Sequence, residues 1–205
     1  DKLDPAIWTA VMKEEIEFLR KAGATKIRYW SGGNLYGHLL EAAAGAGLDV
    51  MGDYKNPKIQ KSDERLLKLN PWRPAANPTD LEGFSKHDPA GKILYLPSGL
   101  FSRTDYASMR RSENAGGEWK YFDYMTESLE ASLRGARKDQ ANVFHITIHP
   151  GEFRGNPRKP FDVLDQWLTK AVDPLVKSGR ARWSTYSGMA DAHVPAAKPQ
   201  PTMTF

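Results

Sequence analysis

Val143-Phe144-His145-Ile146-Thr147-Ile148-His149-Pro150 alternates strictly and ends in a proline-bounded turn, so residues 142–149 read as a strand. Side chains alternate across a strand, which puts Phe144, Ile146 and Ile148 on one face. Val143, His145, Thr147 and His149 fall on the other. The apolar face would pack beneath helices, and the histidine face would look into a cleft or barrel. His149 stands at the C-terminal end of this strand, where α/β barrels carry their chemistry. The alternative is a pair of hydrogen-bonded structural histidines, a reading that suits His145 deep in the strand better than His149. Four residues of strand would hold the two rings about 13 Å apart. A single zinc ion needs its ligand nitrogens within about 2.1 Å, so a strand excludes joint chelation by this His-x-x-x-His, whereas a loop would allow it.

Outward from this strand, helical and extended patterns alternate. Asp4-Pro5 is an N-cap followed by proline at the first helical position, and Trp8, Val11, Met12, Ile16 and Leu19 continue at helical spacing up to Gly23. Residues 25–30, 48–51, 92–97 and 180–185 read as strands. Helices are expected around Leu35–Ala43, Phe122–Ala136 and Phe161–Leu175, with a shorter helical stretch at 63–69. The prolines of Asn70-Pro71-Trp72-Arg73-Pro74 and Asn77-Pro78 mark a surface loop. The order indicates an α/β architecture with parallel strands, with about five strands against the eight of a full barrel. Residues 1–193 form one domain, and the Pro/Ala/Lys-rich residues 194–205 read as a mobile tail.

Composition narrows the function classes. Hydrophobic residues make up 40% and charged residues 26% of the 205, as in an ordinary globular chain. A net charge of +4 with acids and bases interspersed gives no nucleic-acid footprint. Without cysteine there is no disulfide scaffold and no thiolate metal site. No apolar run approaches the roughly 18–20 residues of a membrane span. Six Trp and eight Tyr suit either a core or sugar-stacking surfaces.

The second informative stretch is Ile27-Arg28-Tyr29-Trp30-Ser31-Gly32-Gly33-Asn34, where Arg28 and Trp30 share a face near the end of a short strand, ahead of a glycine turn. Arg28 there would orient a carboxylate or bind substrate oxygens beside a Trp30 wall, or else be a surface arginine next to a packed tryptophan. Glu118 with Asp123, and Glu152, are candidate glycosidase acids, although acids that begin a helix ordinarily complement its dipole. No G-x-S-x-G elbow surrounds any serine, so serine hydrolase chemistry has no support.

Arg28 to Asn34, with the helix through Leu39-Leu40-Glu41-Ala42 and then Gly47-Leu48-Asp49-Val50, resembles the arginine motif of the polysaccharide deacetylases with a NodB-homology domain. Ile148-His149-Pro150 resembles their general-acid histidine motif, and Trp183-Ser184-Thr185 with a helix at Ser187–Ala192 resembles their last strand and helix. The resemblance implies an incomplete, distorted (β/α) barrel, lacking its N-terminal strands in this chain. It implies a metal-dependent hydrolase removing N- or O-acetyl groups from a carbohydrate polymer, secreted or in the cell envelope. Arg28 would orient a catalytic aspartate, and His149 would protonate the leaving group. Trp30, Trp72 and Trp183 would contact sugar. The family's divalent, zinc-like metal is held by an aspartate and two histidines upstream of the arginine motif. Neither motif precedes Arg28, so the metal ligands are not identified in this chain, and a missing N-terminal segment is expected to carry them. A non-catalytic carbohydrate-binding relative is the alternative.

Overall fold

The computed structural model describes residues 4–31, 38–52, 69–97, 119–146 and 158–193. Helix α1 (Pro5–Lys21) starts where the sequence places it. The Asp4 carboxylate accepts the Ala6 N–H at 2.8 Å, and Gly23 ends the helix with a φ of 99°. Strand β1 (Tyr29–Ser31), α2 (Leu39–Gly45), β2 (Val50–Gly52), α3 (Leu81–Ser85) and β3 (Leu94–Leu96) follow. Helix α1 packs on α2 closely enough that a side chain at Gly45 would meet Thr9 Oγ1 at 3.0 Å.

The strands form one open parallel sheet in the order β1-β2-β3, with Tyr29 opposite Val50 and Val50 opposite Leu94. The class is therefore a mixed helix-and-strand fold around parallel strands. Its two faces separate cleanly. Met51 and Tyr95 enter a core with Met12, Ile16, Leu39, Ala43 and Phe84, while Val50, Leu94 and Leu96 pack against the last helix, α7 (Tyr186–Asp191). Near-continuous apolar strands are what burial on both faces of a parallel sheet demands.

The proline-punctuated stretch expected at the surface is instead largely interior. Trp72 is 4% exposed and exchanges backbone hydrogen bonds with Tyr95, its N–H to the Tyr95 carbonyl at 3.2 Å and its carbonyl from the Tyr95 N–H at 2.8 Å. Its indole N–H donates to the Phe84 carbonyl at 2.7 Å, and its ring meets Phe84 edge-on at 5.8 Å and Tyr95 at 4.8 Å. The prolines bend the chain, but the tryptophan brings it inward.

Helix α4 (Trp119–Arg134) and α5 (Arg158–Trp167) build a second core from Met125, Leu129, Val163 and Trp167. A π-helical turn, Leu168–Val172, leads into α6 (Asp173–Lys177). Pro174 explains it: proline cannot donate back to residue 170 and crowds that carbonyl, and widening the preceding turn relieves the clash. Gly179, at φ 74°, closes α6.

Residues 141–146 keep the expected alternation, with Phe144 and Ile146 against the second core and Val143 buried, yet they form no regular strand. The Val143 N–H reaches the Leu69 carbonyl at 3.1 Å, because side-chain packing rather than a ladder fixes the segment. Residues 181–185, also expected as a strand, are irregular and lead into α7. The expected helix at 63–69, apart from Leu69, and the tail at 194–205 lie outside the described residues. No described helix is long and apolar enough to cross a membrane.

Phe84→Ala should destabilise the chain by about 3–5 kcal/mol, because it opens a cavity beside Trp72 and Tyr95. Phe18→Ala, at a position 67% exposed, should change stability by less than about 0.5 kcal/mol. Urea unfolding distinguishes them, and equal losses would contradict the assigned core.

Candidate functional site

Tyr29, Val50 and Leu94 lie in register, and so do Ser31, Gly52 and Leu96, which mark the C-terminal edge of the sheet. Gly52 has no side chain, and one there would meet the Tyr29 hydroxyl and the Leu96 carbonyl at 3.1 Å. The glycine lets the Tyr29 ring reach across β2. Tyr186, in the first turn of α7, stacks on Tyr29 with centroids 3.8 Å apart and planes 8° from parallel. The His145 ring meets Tyr186 edge-on at 5.5 Å. Tyr29, Tyr186 and His145 thus form an aromatic file over the face that α7 covers.

Both ring nitrogens of His145 are buried without a hydrogen-bond partner among the described residues. Burial pushes this imidazole down to about 4, and only a weak interaction with the Leu96 backbone opposes the shift. His145 is therefore neutral at pH 7. Its unmet hydrogen-bonding capacity is unusual for a buried polar group. For the hydrogen-bonded structural role read for His145, the described residues offer only the Leu96 backbone.

Arg28 lies just before β1, at the N-terminal side of the sheet, and not at the C-terminal end expected from the sequence. Asp49 stands just before β2, and the register that pairs Tyr29 with Val50 makes Arg28 and Asp49 neighbours. Arg28 donates from Nε and Nη2 to the Asp49 carboxylate at 2.9 and 2.7 Å, and from Nη1 to Asp191 at 2.6 Å. These hydrogen bonds, the one to Asp49 foremost, raise its pKa further above an already permanently charged value. The side chains are 32%, 47% and 60% exposed, so the network contributes on the order of 1 kcal/mol while fixing where α7 ends.

The other expected site residues scatter. Trp30 is half-buried against the first core, Trp72 is inside it, and Trp183 is 67% exposed between α6 and α7. His149, Glu118 and Glu152 lie outside the described residues. Among the described residues, no three His, Asp or Glu side chains could together hold a metal ion. Sequence reasoning missed the acidic partners Asp49 and Asp191 and the Tyr29–Tyr186 stack. Asp49 was within reach, since it precedes its strand as Arg28 precedes β1.

Comparison with known proteins adds no identity. No family model, curated protein or solved structure matches the chain.

The unfolded chain takes up a proton at His145 near pH 6.5, whereas the folded one does so only near pH 4. Stability is therefore fully present above about pH 6.5 and falls as the pH drops toward 4, by roughly 3 kcal/mol from this residue. His145→Leu should flatten that part of the urea-midpoint profile. An unchanged acid slope in the variant would contradict the buried neutral imidazole.

Proposed function

We propose that this chain belongs to a hydrolase that removes acetyl groups from a carbohydrate polymer, as the polysaccharide deacetylases do, with the distorted barrel of that family as its complete architecture. The sequence motifs around Arg28 and His149, in the family's order, support the reading. The observation that carries it furthest is the position of the histidine segment. His145, four residues before His149, packs beside Leu96 at the C-terminal edge of a parallel sheet, the edge at which α/β folds bind ligands.

His149 has the general-acid role in this reading: water adds to the acetyl carbonyl carbon and gives its proton to a carboxylate base of the kind the family uses, and His149 protonates the amine nitrogen or alkoxide oxygen as its bond to that carbon breaks and acetate leaves. Arg28 holds the carboxylates of Asp49 and Asp191 on the N-terminal side of the sheet, away from its C-terminal edge. Among the described residues no cluster of His, Asp or Glu could supply the ligands of the divalent metal that the resemblance implies. Trp183, with an open indole, is the tryptophan best suited to stack on a sugar ring, with Trp30 only partly available and Trp72 enclosed.

The exposure of Trp183 equally suits a non-catalytic carbohydrate-binding relative. Substitutions separate the two. In the longest natural form of the protein, His149→Ala should lower kcat for acetate release by about 10²–10⁴-fold with glycan affinity retained. Trp183→Ala should instead weaken glycan binding by about 1–3 kcal/mol, mainly in KM. Full turnover in the His149 variant would remove that residue from the chemistry. Glycan binding with no acetate from any form would favour the non-catalytic relative.

A further inference from the structure

The connector between α6 and α7 carries charge that the fold leaves unanswered. Between Asp173 and Asp191 the sequence has three basic residues, Lys177, Arg180 and Arg182, and no acidic one. All three side chains are exposed. Arg20, Arg28, Arg134 and Arg137 each pair with a carboxylate, and Lys86 pairs with Glu82. Among the described residues Lys177, Arg180 and Arg182 form no such pair. Cations alone would read as a solvated surface. Here they surround Trp183, whose indole is exposed and belongs to none of the cores.

The connector is fixed at both ends. Gly179 closes α6 at positive φ, and the Arg180 and Ala181 N–H groups both donate to the Leu175 carbonyl, at 2.9 and 3.1 Å. At the other end Thr185 Oγ1 accepts the Gly188 N–H at 3.0 Å and caps α7. These bonds use the backbone and Thr185, and leave the side chains of Arg180, Arg182 and Trp183 unspent. A ligand that engages them meets an ordered backbone and little cost of ordering it.

An indole face takes the C–H face of a sugar ring, and a guanidinium binds carboxylate and other oxyanions through paired N–H donors. Together on one connector they complement a sugar that carries negative charge. Three cations fall short of the basic stripe that nucleic acid needs. The neighbours Ser184 and Thr185 are polar and exposed, so no apolar patch surrounds Trp183 as the centre of a protein interface would require.

We propose that Lys177, Arg180, Arg182 and Trp183 form a binding site for an acidic glycan, one whose sugars carry carboxylate or sulfate groups. The inference rests on the carbohydrate reading above and names the class of polymer. Trp183 stacks on one sugar, while the guanidinium groups pair with its anion and with that of the neighbouring sugar.

An oligogalacturonate and a dextran sulfate oligomer are the probes, titrated calorimetrically into the 205-residue chain beside an uncharged cello-oligosaccharide of equal length. The expected result is saturable binding of an acidic oligomer, at least about tenfold tighter than the neutral one, and the better acidic probe identifies the charged group. Affinity should fall as salt rises from about 0.01 to about 0.15 M, where the screening length drops from about 30 to about 8 Å. Trp183→Ala should weaken binding by about tenfold, and so should Arg180→Gln combined with Arg182→Gln. Arg134→Gln, which removes a cation already paired with Glu130, should leave it unchanged. The replaced side chains are exposed, so the variants keep their fold. Absence of saturable binding by either acidic oligomer overturns the proposal, as does equal affinity for the neutral one. Tighter binding of a single-stranded oligonucleotide of the same charge, or wild-type affinity in the folded variants, also overturns it. The two readings fail separately. Acidic glycan bound by a protein that releases no acetate removes the deacetylase reading alone, and acetate released from a neutral glycan with no acidic one bound removes this inference alone.

Discussion

A parallel sheet with both faces buried needs cover on both sides, and this constraint organises the described structure. Here each strand is three residues long, too short to hold itself together by hydrogen bonds alone. On one face Met51 and Tyr95 meet the helices α1, α2 and α3 with the Trp72–Phe84 pair. On the other, six-residue α7 lies over Val50, Leu94 and Leu96. Burial of a large apolar side chain contributes about 1.5–3 kcal/mol, against about 1 kcal/mol or less for a solvent-open ion pair. Apolar packing therefore holds α7 down. The Arg28–Asp191 bond and the Tyr29–Tyr186 stack set its direction and register.

The same arrangement explains His145. Once α7 covers the sheet, the ring nitrogens beside Tyr186 are buried with no well-formed hydrogen bond among the described residues, and the neutral form is the one that folding tolerates. The chain keeps a polar ring where a leucine would fill the space. Desolvation is the foremost cause that lowers the pKa of both His145 and His193.

Much of the architecture was legible in the sequence. Capping by Asp4-Pro5 and the helix stop at Gly23 occur as read, and three of the apolar runs read as strands hold short strands, two of them ending one residue later than read. Local composition misled at Trp72, where prolines indicated a surface and a long-range pairing with Tyr95 decided for the interior. At 142–146 the period was right and the hydrogen bonding was not, since alternation reports which side each residue faces and not whether a neighbouring strand exists. The partners of Arg28 required the strand register, and Asp191 comes from 163 residues away, a separation no local pattern encodes.

The functional proposal stands on one product. An acetylated glycan incubated with the longest natural form of the protein, and assayed together for free acetate and for new reducing ends, tests it most directly. The account predicts acetate release with the chain length of the glycan unchanged. New reducing ends, or a bound glycan that never yields acetate, would contradict it.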